Sequence, residues 1–380
     1  MRTAVQRRGA LALCVVLLFC LLAGCTGHSG EKNWSELTPQ STTELKYAKQ
    51  FTIEDYGNGL QLITIAQDRQ YLLVPEGAQA PAGVPEEVTV LQQPIQNIYL
   101  TATAAMDLFR ALDGLDAIRL SGTKESGWYL PEARQAMETG DLLYAGKYSA
   151  PDYELILAQQ CGLAVESTMI YHNPEVKEQL ESLGIPVLVD YSSYESDPLG
   201  RMEWIKLYGV LLGKEEEAAR IFDEEVAAVQ PVLNQTNTGK TVAFFYITNT
   251  GTVNVRKSGD YIAQLIRMAG GVYVPDNQNG DEENALSTMN IDMESFYAAA
   301  HDADVLIYNS TIDGELASLD ELLKKSELLA DFKAVQNGNV WCTGKNMFQS
   351  SMSQGRMIQE INAVLTQQAP DGLTYLYRLS

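Results

Sequence analysis

The sequence predicts an α/β protein of two lobes, each a mostly parallel sheet flanked by helices, with one long α-helix joining them. Two observations carry that prediction. From Val88 onward, short β-leaning runs alternate with stretches of helical periodicity, the pattern of parallel sheets with helices on their faces. At Arg201–Leu233 the alternation gives way to two consecutive helical patterns, and it resumes at Thr241. Trp204, Leu207, Tyr208, Leu211 and Leu212 recur at helical spacing, and Gly213 is a natural C-cap. Glu215, Glu216 and Glu217 then fill the positively polarised first turn of a new helix, whose apolar stripe is Ala218, Ile221, Phe222, Val226, Val229 and Leu233. That helix, residues 214–235, would span roughly 30 Å and would permit rocking of the lobes rather than wide opening.

Ahead of the lobes lies an address. Arg2, Arg7 and Arg8 give a basic start, Ala10 to Leu22 is apolar, and Leu22-Ala23-Gly24-Cys25 follows. The apolar run is shorter than the ~20 residues of a spanning helix and fits a signal-peptide core. The pattern resembles a bacterial lipobox, which implies cleavage after residue 24 and lipid on Cys25. Removing 24 of 380 residues leaves 356, and the loss of three arginines takes the net charge from −22 to −25. Such an acidic body has no electrostatic footprint for nucleic acid. Cys161 and Cys342 fall in different lobes, where a disulfide would lock any hinge, and they are expected as buried free thiols.

Residues 25–50 are polar and aperiodic and read as a flexible tether. Residues 51–87 carry the runs Phe51–Ile53, Leu60–Ile65 and Tyr71–Val74 around the turn Tyr56-Gly57-Asn58-Gly59, a β extension. The first lobe is then 88–213 and the second, with a C-terminal helix over Met352–Thr366, is 236–380.

The lobes echo one another. Asp152-Tyr153-Glu154 opens a helix leading into Leu163–Val165, and Asp292-Met293-Glu294 opens one leading into Asp304–Ile307, with the two glutamates 140 residues apart. In each unit the aspartate is a good N-cap and the glutamate sits in the first turn.

With these features in order, the chain resembles the substrate-binding lipoproteins of bacterial ABC importers for iron–siderophores, haem and cobalamin. The resemblance covers roughly Val88 to Thr366. It runs through Ile98-Tyr99-Leu100-Thr101, Ala150-Pro151-Asp152-Tyr153-Glu154-Leu155-Ile156-Leu157-Ala158 and Leu183-Gly184-Ile185-Pro186-Val187. It continues through Leu212-Gly213-Lys214-Glu215 and Ala269-Gly270-Gly271. Gln160-Cys161-Gly162 departs from it, where relatives usually carry a proline-aspartate turn. The resemblance implies a monomer anchored by lipid outside the cytoplasm, serving an ABC permease and its ATPase subunit. It assigns permease docking to Glu154 and Glu294, two separated carboxylates that supply register more than affinity.

Ligands of α/β lobes bind beyond the carboxyl ends of the strands. Side chains following strands in the first lobe are Thr101, Thr103, Lys124, Trp128, Tyr148, Met169, Tyr171, Tyr191 and Tyr194; in the second they are Tyr246, Asn249, Arg256, Tyr308, Asn309, Lys345 and Phe348. Lys124, Trp128, Tyr148, Tyr171, Tyr194, Tyr246, Arg256, Tyr308 and Lys345 are the expected ligand contacts, aromatic faces with a few cations that suit an anionic ferric siderophore. Haem or cobalamin is the alternative cargo, and a sensor or adhesion lipoprotein of the same fold is the alternative role. No direct metal site and no cofactor are expected, because only His28, His172 and His301 are available. No catalytic residue is expected either. Gly239-Lys240-Thr241 ends like a phosphate loop, but position 234 is Asn and the motif precedes its strand.

Overall fold

The computed structural model describes residues 33–276, 288–369 and 372–380. The signal segment, Cys25 and His28 lie outside the described residues. No described helix is long and apolar enough to cross a membrane.

Three main sheets follow one another along the chain. The first is the extension, Ser41–Thr42, Phe51–Gly57, Leu60–Ile65, Arg69–Val74 and Thr89–Gln92 in sequence order. Its hairpin turn holds Gly57, Asn58 and Gly59 at φ of 85°, 54° and 78°, the left-handed region that favours Gly and Asn. One face of this sheet packs Leu62, Leu72 and Val74 against Trp34 and Tyr56, and the other sends Phe51, Ile53, Ile63 and Leu73 into the main core. Thr89–Gln92 pairs parallel with Arg69–Val74. The extension therefore runs past residue 87, and the expected boundary there moves toward the first lobe's opening strand at Ile98.

The second sheet is wholly parallel, in the order Val187–Asp190, Ala164–Ser167, Ile98–Leu100, Ile118–Ser121, Leu143–Tyr144. Its near-continuous apolar strands are buried on both faces, as parallel sheets require. Val187–Asp190 is the edge strand, and the extension caps it. The Tyr71 hydroxyl donates to the Val187 carbonyl (3.2 Å) and accepts from the Val189 N–H (3.4 Å), which occupies polar groups that an open edge would expose.

The third sheet is mixed. Thr241–Ile247, Val305–Tyr308 and Val340–Thr343 run parallel, with Val272–Val274 beside the first of them. Val253–Arg256, Thr288–Ile291 and Leu376–Arg378 join antiparallel. The turn through Thr248–Thr252 folds Val253–Arg256 back on Thr241–Ile247, and a hairpin can only be antiparallel.

Between the second and third sheets comes the helix Glu215–Leu233. It follows Ile205–Leu212, which ends on Gly213 at φ 66° as an αL C-cap. The helix buries Ala218, Phe222 and Val229, and the C-terminal helix Gln354–Leu365 packs on it, with Gln359 Nε2 donating to the Ala228 carbonyl at 2.8 Å. One apolar cluster holds Phe109 and Tyr208 together with Phe244, Tyr261 and Ile361. The lobes thus share a core beneath the cleft.

The tether expected through Gln50 is corrected. Trp34 N–H donates to the Ala82 carbonyl at 2.8 Å. Glu203 accepts the N–H groups of Lys46, Tyr47 and Ala48 at 2.7–3.0 Å, and Glu195 accepts those of Lys49 and Gln50 at 2.9–3.0 Å. Both carboxylates are buried. The donors are main-chain groups that every residue carries, so a polar composition gave no hint of the clamp.

Candidate functional site

A cleft of about 530 Å³ opens between the second and third sheets. Thr103 and Tyr129 wall it on the first-lobe side, and Ser310–Gly314, Lys345, Phe348 and Gln349 on the other. Each wall is built beyond the carboxyl ends of its strands. Thr103 follows Ile98–Leu100. The loop after Ile118–Ser121 is held by Trp128, whose Nε1–H donates to the Ser121 hydroxyl at 3.2 Å and whose carbonyl accepts from Arg134 at 2.7 Å. That anchoring leaves Tyr129 exposed at the rim. Across the cleft, Asn309 caps the short helix Ser310–Asp313 by accepting the Thr311 N–H at 3.1 Å, and the Thr343 hydroxyl accepts the Ser310 N–H at 3.0 Å. Asp313 is ion-paired with Lys325, and Lys345 is the cation among the lining side chains, with its main-chain N–H donating to Glu315 at 3.2 Å. The rest of the lining is hydroxyl, amide, phenol and two apolar groups, Ile312 and Phe348.

Three residues of the second wall cross to the first lobe. Gln349 Oε1 accepts the Tyr129 N–H and Gln349 Nε2 donates to the Gly127 carbonyl, both at 2.7 Å. The Ser351 hydroxyl donates to the Ala104 carbonyl at 2.7 Å, and the Met352 N–H donates to buried Asp107 at 2.8 Å. Below the first-lobe wall, Glu166 lies fully buried in the strand Ala164–Ser167. One oxygen accepts from the Thr101 hydroxyl and the other has no partner, and burial pushes its carboxyl up to about 7.

Of the nine expected ligand contacts, Lys345 lines this cleft; Thr103 and Phe348, from the wider strand-end set, line it too. Trp128 and Tyr308 are corrected: both are 0% exposed and present no surface to a ligand. Arg256 lies behind Phe348, its guanidinium 5.6 Å from that ring and 3.6 Å from Asp260. Tyr171 faces the extension, where the Arg69 guanidinium sits 5.1 Å from its ring and 5.0 Å from Tyr191, and the Tyr194 ring lies tilted against Tyr191 at 5.2 Å. Lys124 stands 5.5 Å over Tyr144. Tyr148 is half-buried in the turn between Gly146–Lys147 and Ala150–Pro151, and Tyr246 packs on the second-lobe core. None of these six lines the cleft. Tyr129, Ser310–Gly314 and Gln349 were missed. The polar caps Asn309-Ser310-Thr311 directly after a buried strand were the available signal for the middle group.

The internal echo has a geometric counterpart. Asp152 caps Tyr153–Ala158 by accepting the Leu155 N–H at 3.0 Å, and Asp292 caps Met293–Ala300 by accepting the Ser295 N–H at 2.6 Å. Glu154 and Glu294 are both exposed in the first turn. Cys161 and Cys342 are free thiols, and burial pushes the first up to about 11. Among the described residues no cluster of three or more His, Cys, Asp or Glu is placed to hold a metal ion.

Comparison with known proteins places this architecture. An uncharacterized lipoprotein of Methanocaldococcus jannaschii is 24% identical, over 96% of this chain and 94% of its own length. The periplasmic haem-binding protein HutB of Vibrio cholerae superposes with a TM-score of 0.59 at 18% identity, over 72% of this chain and 99% of that one. An ABC-type Fe3+-hydroxamate transport protein of Saccharomonospora viridis gives 0.53 at 21% identity, over 70% and 92%. The profile of the Periplasmic binding protein family matches residues 101–347, which takes in the cleft lining from Thr103 to Lys345. With that match covering more than half of its length, the chain belongs to the periplasmic binding protein family.

Proposed function

We propose that the protein is a lipid-anchored solute-binding protein that captures a ferric siderophore in the cleft and delivers it to an ABC permease powered by a separate ATPase subunit. The observation that carries this reading is the cleft of about 530 Å³ walled by both lobes, in a chain that carries exposed glutamates at matching helix starts. Clefts of ~300–1,000 Å³ are the size that encloses a small organic ligand. The hydroxyls of Thr103, Ser310 and Thr311 and the ammonium of Lys345 offer donors to chelate oxygens, while Phe348 and Ile312 cover its apolar parts. The protein's part is binding and presentation, with no covalent step.

Glu154 and Glu294 are the docking carboxylates in this reading. Each stands on a rigid helix start, so together they gauge the spacing of the lobes for a permease with matching cations. Cys25 carries the lipid, in line with the lipoprotein relative, and holds the body on the outer side of the membrane.

A panel of ferric trihydroxamate, ferric tricatecholate, haem and cobalamin tests the reading. Binding of a ferric siderophore should quench tryptophan fluorescence by energy transfer to the coloured chelate, since Trp128, Trp204 and Trp341 are buried and make no contact with the cleft. A panel in which nothing quenches the fluorescence or raises the melting temperature would sink the uptake reading. Haem is the second reading, favoured by the exposed Tyr129 phenol at the rim, a group able to ligate haem iron. Its mark would be a shifted Soret band that Tyr129→Phe abolishes.

A further inference from the structure

The contacts that cross from the second wall to the first lobe form a graded series. At Met352 the acceptor is Asp107, which is 1% exposed. At Ser351 the hydroxyl is part-buried against Ala104. At Gln349 both ends of one amide are spent on one loop of the opposite lobe, and that loop ends in Tyr129, 38% exposed. Gln349 and Tyr129 also line the cleft itself. Three residues therefore pass from a dry crossing to a wet one at the mouth.

From this gradient we infer that Gln349 is a releasable latch that sets the aperture of the cleft, with Ser351 and Met352 as its pivot. The physical argument is competition with water. The Tyr129–Gln349 hydrogen bond is exposed and exchanges with solvent at little net cost, whereas breaking the Asp107–Met352 contact strands the Met352 N–H and one oxygen of Asp107, whose other oxygen keeps Arg110 at 2.6 Å, in a dry interior. Opening thus begins at Gln349. The bidentate geometry gives the latch its specificity, because one side chain accepts from Tyr129 and donates to Gly127 together. While latched, the Gln349 carbonyl and one Nε2 hydrogen are both engaged across the cleft. It serves as a positioning residue, and its role does not depend on which ligand the cleft takes.

The aperture can be read in the mature ligand-free chain by pulsed dipolar spectroscopy between nitroxides at Gln135→Cys and Asp320→Cys, one exposed position on each lobe. Cys342 is buried and the Cys161 thiol is pushed up to about 11, so labelling near pH 7 favours the introduced sites. Gln349→Ala should lengthen the distances and raise the open fraction by about tenfold, the loss expected of two ordinary hydrogen bonds. Its melting temperature should stay within a few degrees of the parent, which separates opening from unfolding. Ser351→Ala should leave the distances at the parent's values. An unchanged distribution in Gln349→Ala would overturn the latch, and so would equal widening in both variants.

Discussion

Glu203 and Glu166 are both carboxylates at 0% exposure, and the fold treats them in opposite ways. Glu203 accepts three main-chain N–H groups from the extension and the Lys206 ammonium at 2.7 Å. Glu166 has one hydroxyl and a bare oxygen. A buried charge is tolerable when every lone pair is answered, so Glu203 fastens the extension to the first lobe as an anion. The unanswered oxygen of Glu166 makes its charge costly, and the side chain instead holds a proton well above the ordinary glutamate range. Glu154 and Glu294 form a third case, exposed to solvent in the first turns of their helices. Burial and partner count together separate the fastener from the proton holder.

The sharpest break in that comparison is Glu203→Ala, which strands the N–H groups of Lys46, Tyr47 and Ala48. It should cost about 3 kcal/mol or more, read as a lower denaturant midpoint; a midpoint at the parent's value would show that the clamp is incidental. Glu166→Gln probes the opposite case. Between the ordinary glutamate value of 4.5 and about 7 the native chain keeps a proton that the unfolded chain has lost. Stability therefore falls as pH rises through that window, by about 3 kcal/mol in all. The variant should flatten this slope in unfolding titrations from pH 4 to 8, and an unaltered slope would remove Glu166 as its source.

Glu195→Gln keeps one acceptor for Lys49, Gln50 and the Trp204 indole, so a loss of about 1–2 kcal/mol is expected. The smallest effect on stability should come from Glu154→Ala combined with Glu294→Ala, within about 0.5 kcal/mol of the parent. The same pair should leave ligand affinity intact and abolish uptake in cells. Uptake at the parent's rate would withdraw the docking roles.

The lobes were legible in the sequence because their signals are periodic. Thr241–Ile247, Leu60–Ile65 and the helix through Phe222 and Val229 follow from runs of apolar residues at the right spacing. Asp152 and Asp292 were legible as caps because capping is local chemistry. The cleft was less so. The strand-end rule names the correct end of a sheet, but not which side chains turn inward. It therefore offered Trp128, which anchors its loop, in place of Tyr129 one residue on. Tyr171 and Tyr191 follow their strands as expected, yet they turn toward Arg69 of a distant strand and away from the cleft, and no local pattern carries such a contact. The clamp on residues 46–50 was invisible because its donors are backbone groups.

That clamp changes the mechanics of anchoring. A tether running to Gln50 would have let the body roam up to roughly 85 Å from its lipid, at about 3.4 Å per extended residue. Since the Trp34 N–H is already bonded to the Ala82 carbonyl, only nine Cα steps lead from Cys25 to the body, a leash of at most roughly 31 Å. With the proposed lipid in place, the body is confined to a thin layer above the bilayer. In the proposed transport role the search for a permease becomes two-dimensional, and the effective concentration of each proposed docking face rises as the accessible volume shrinks.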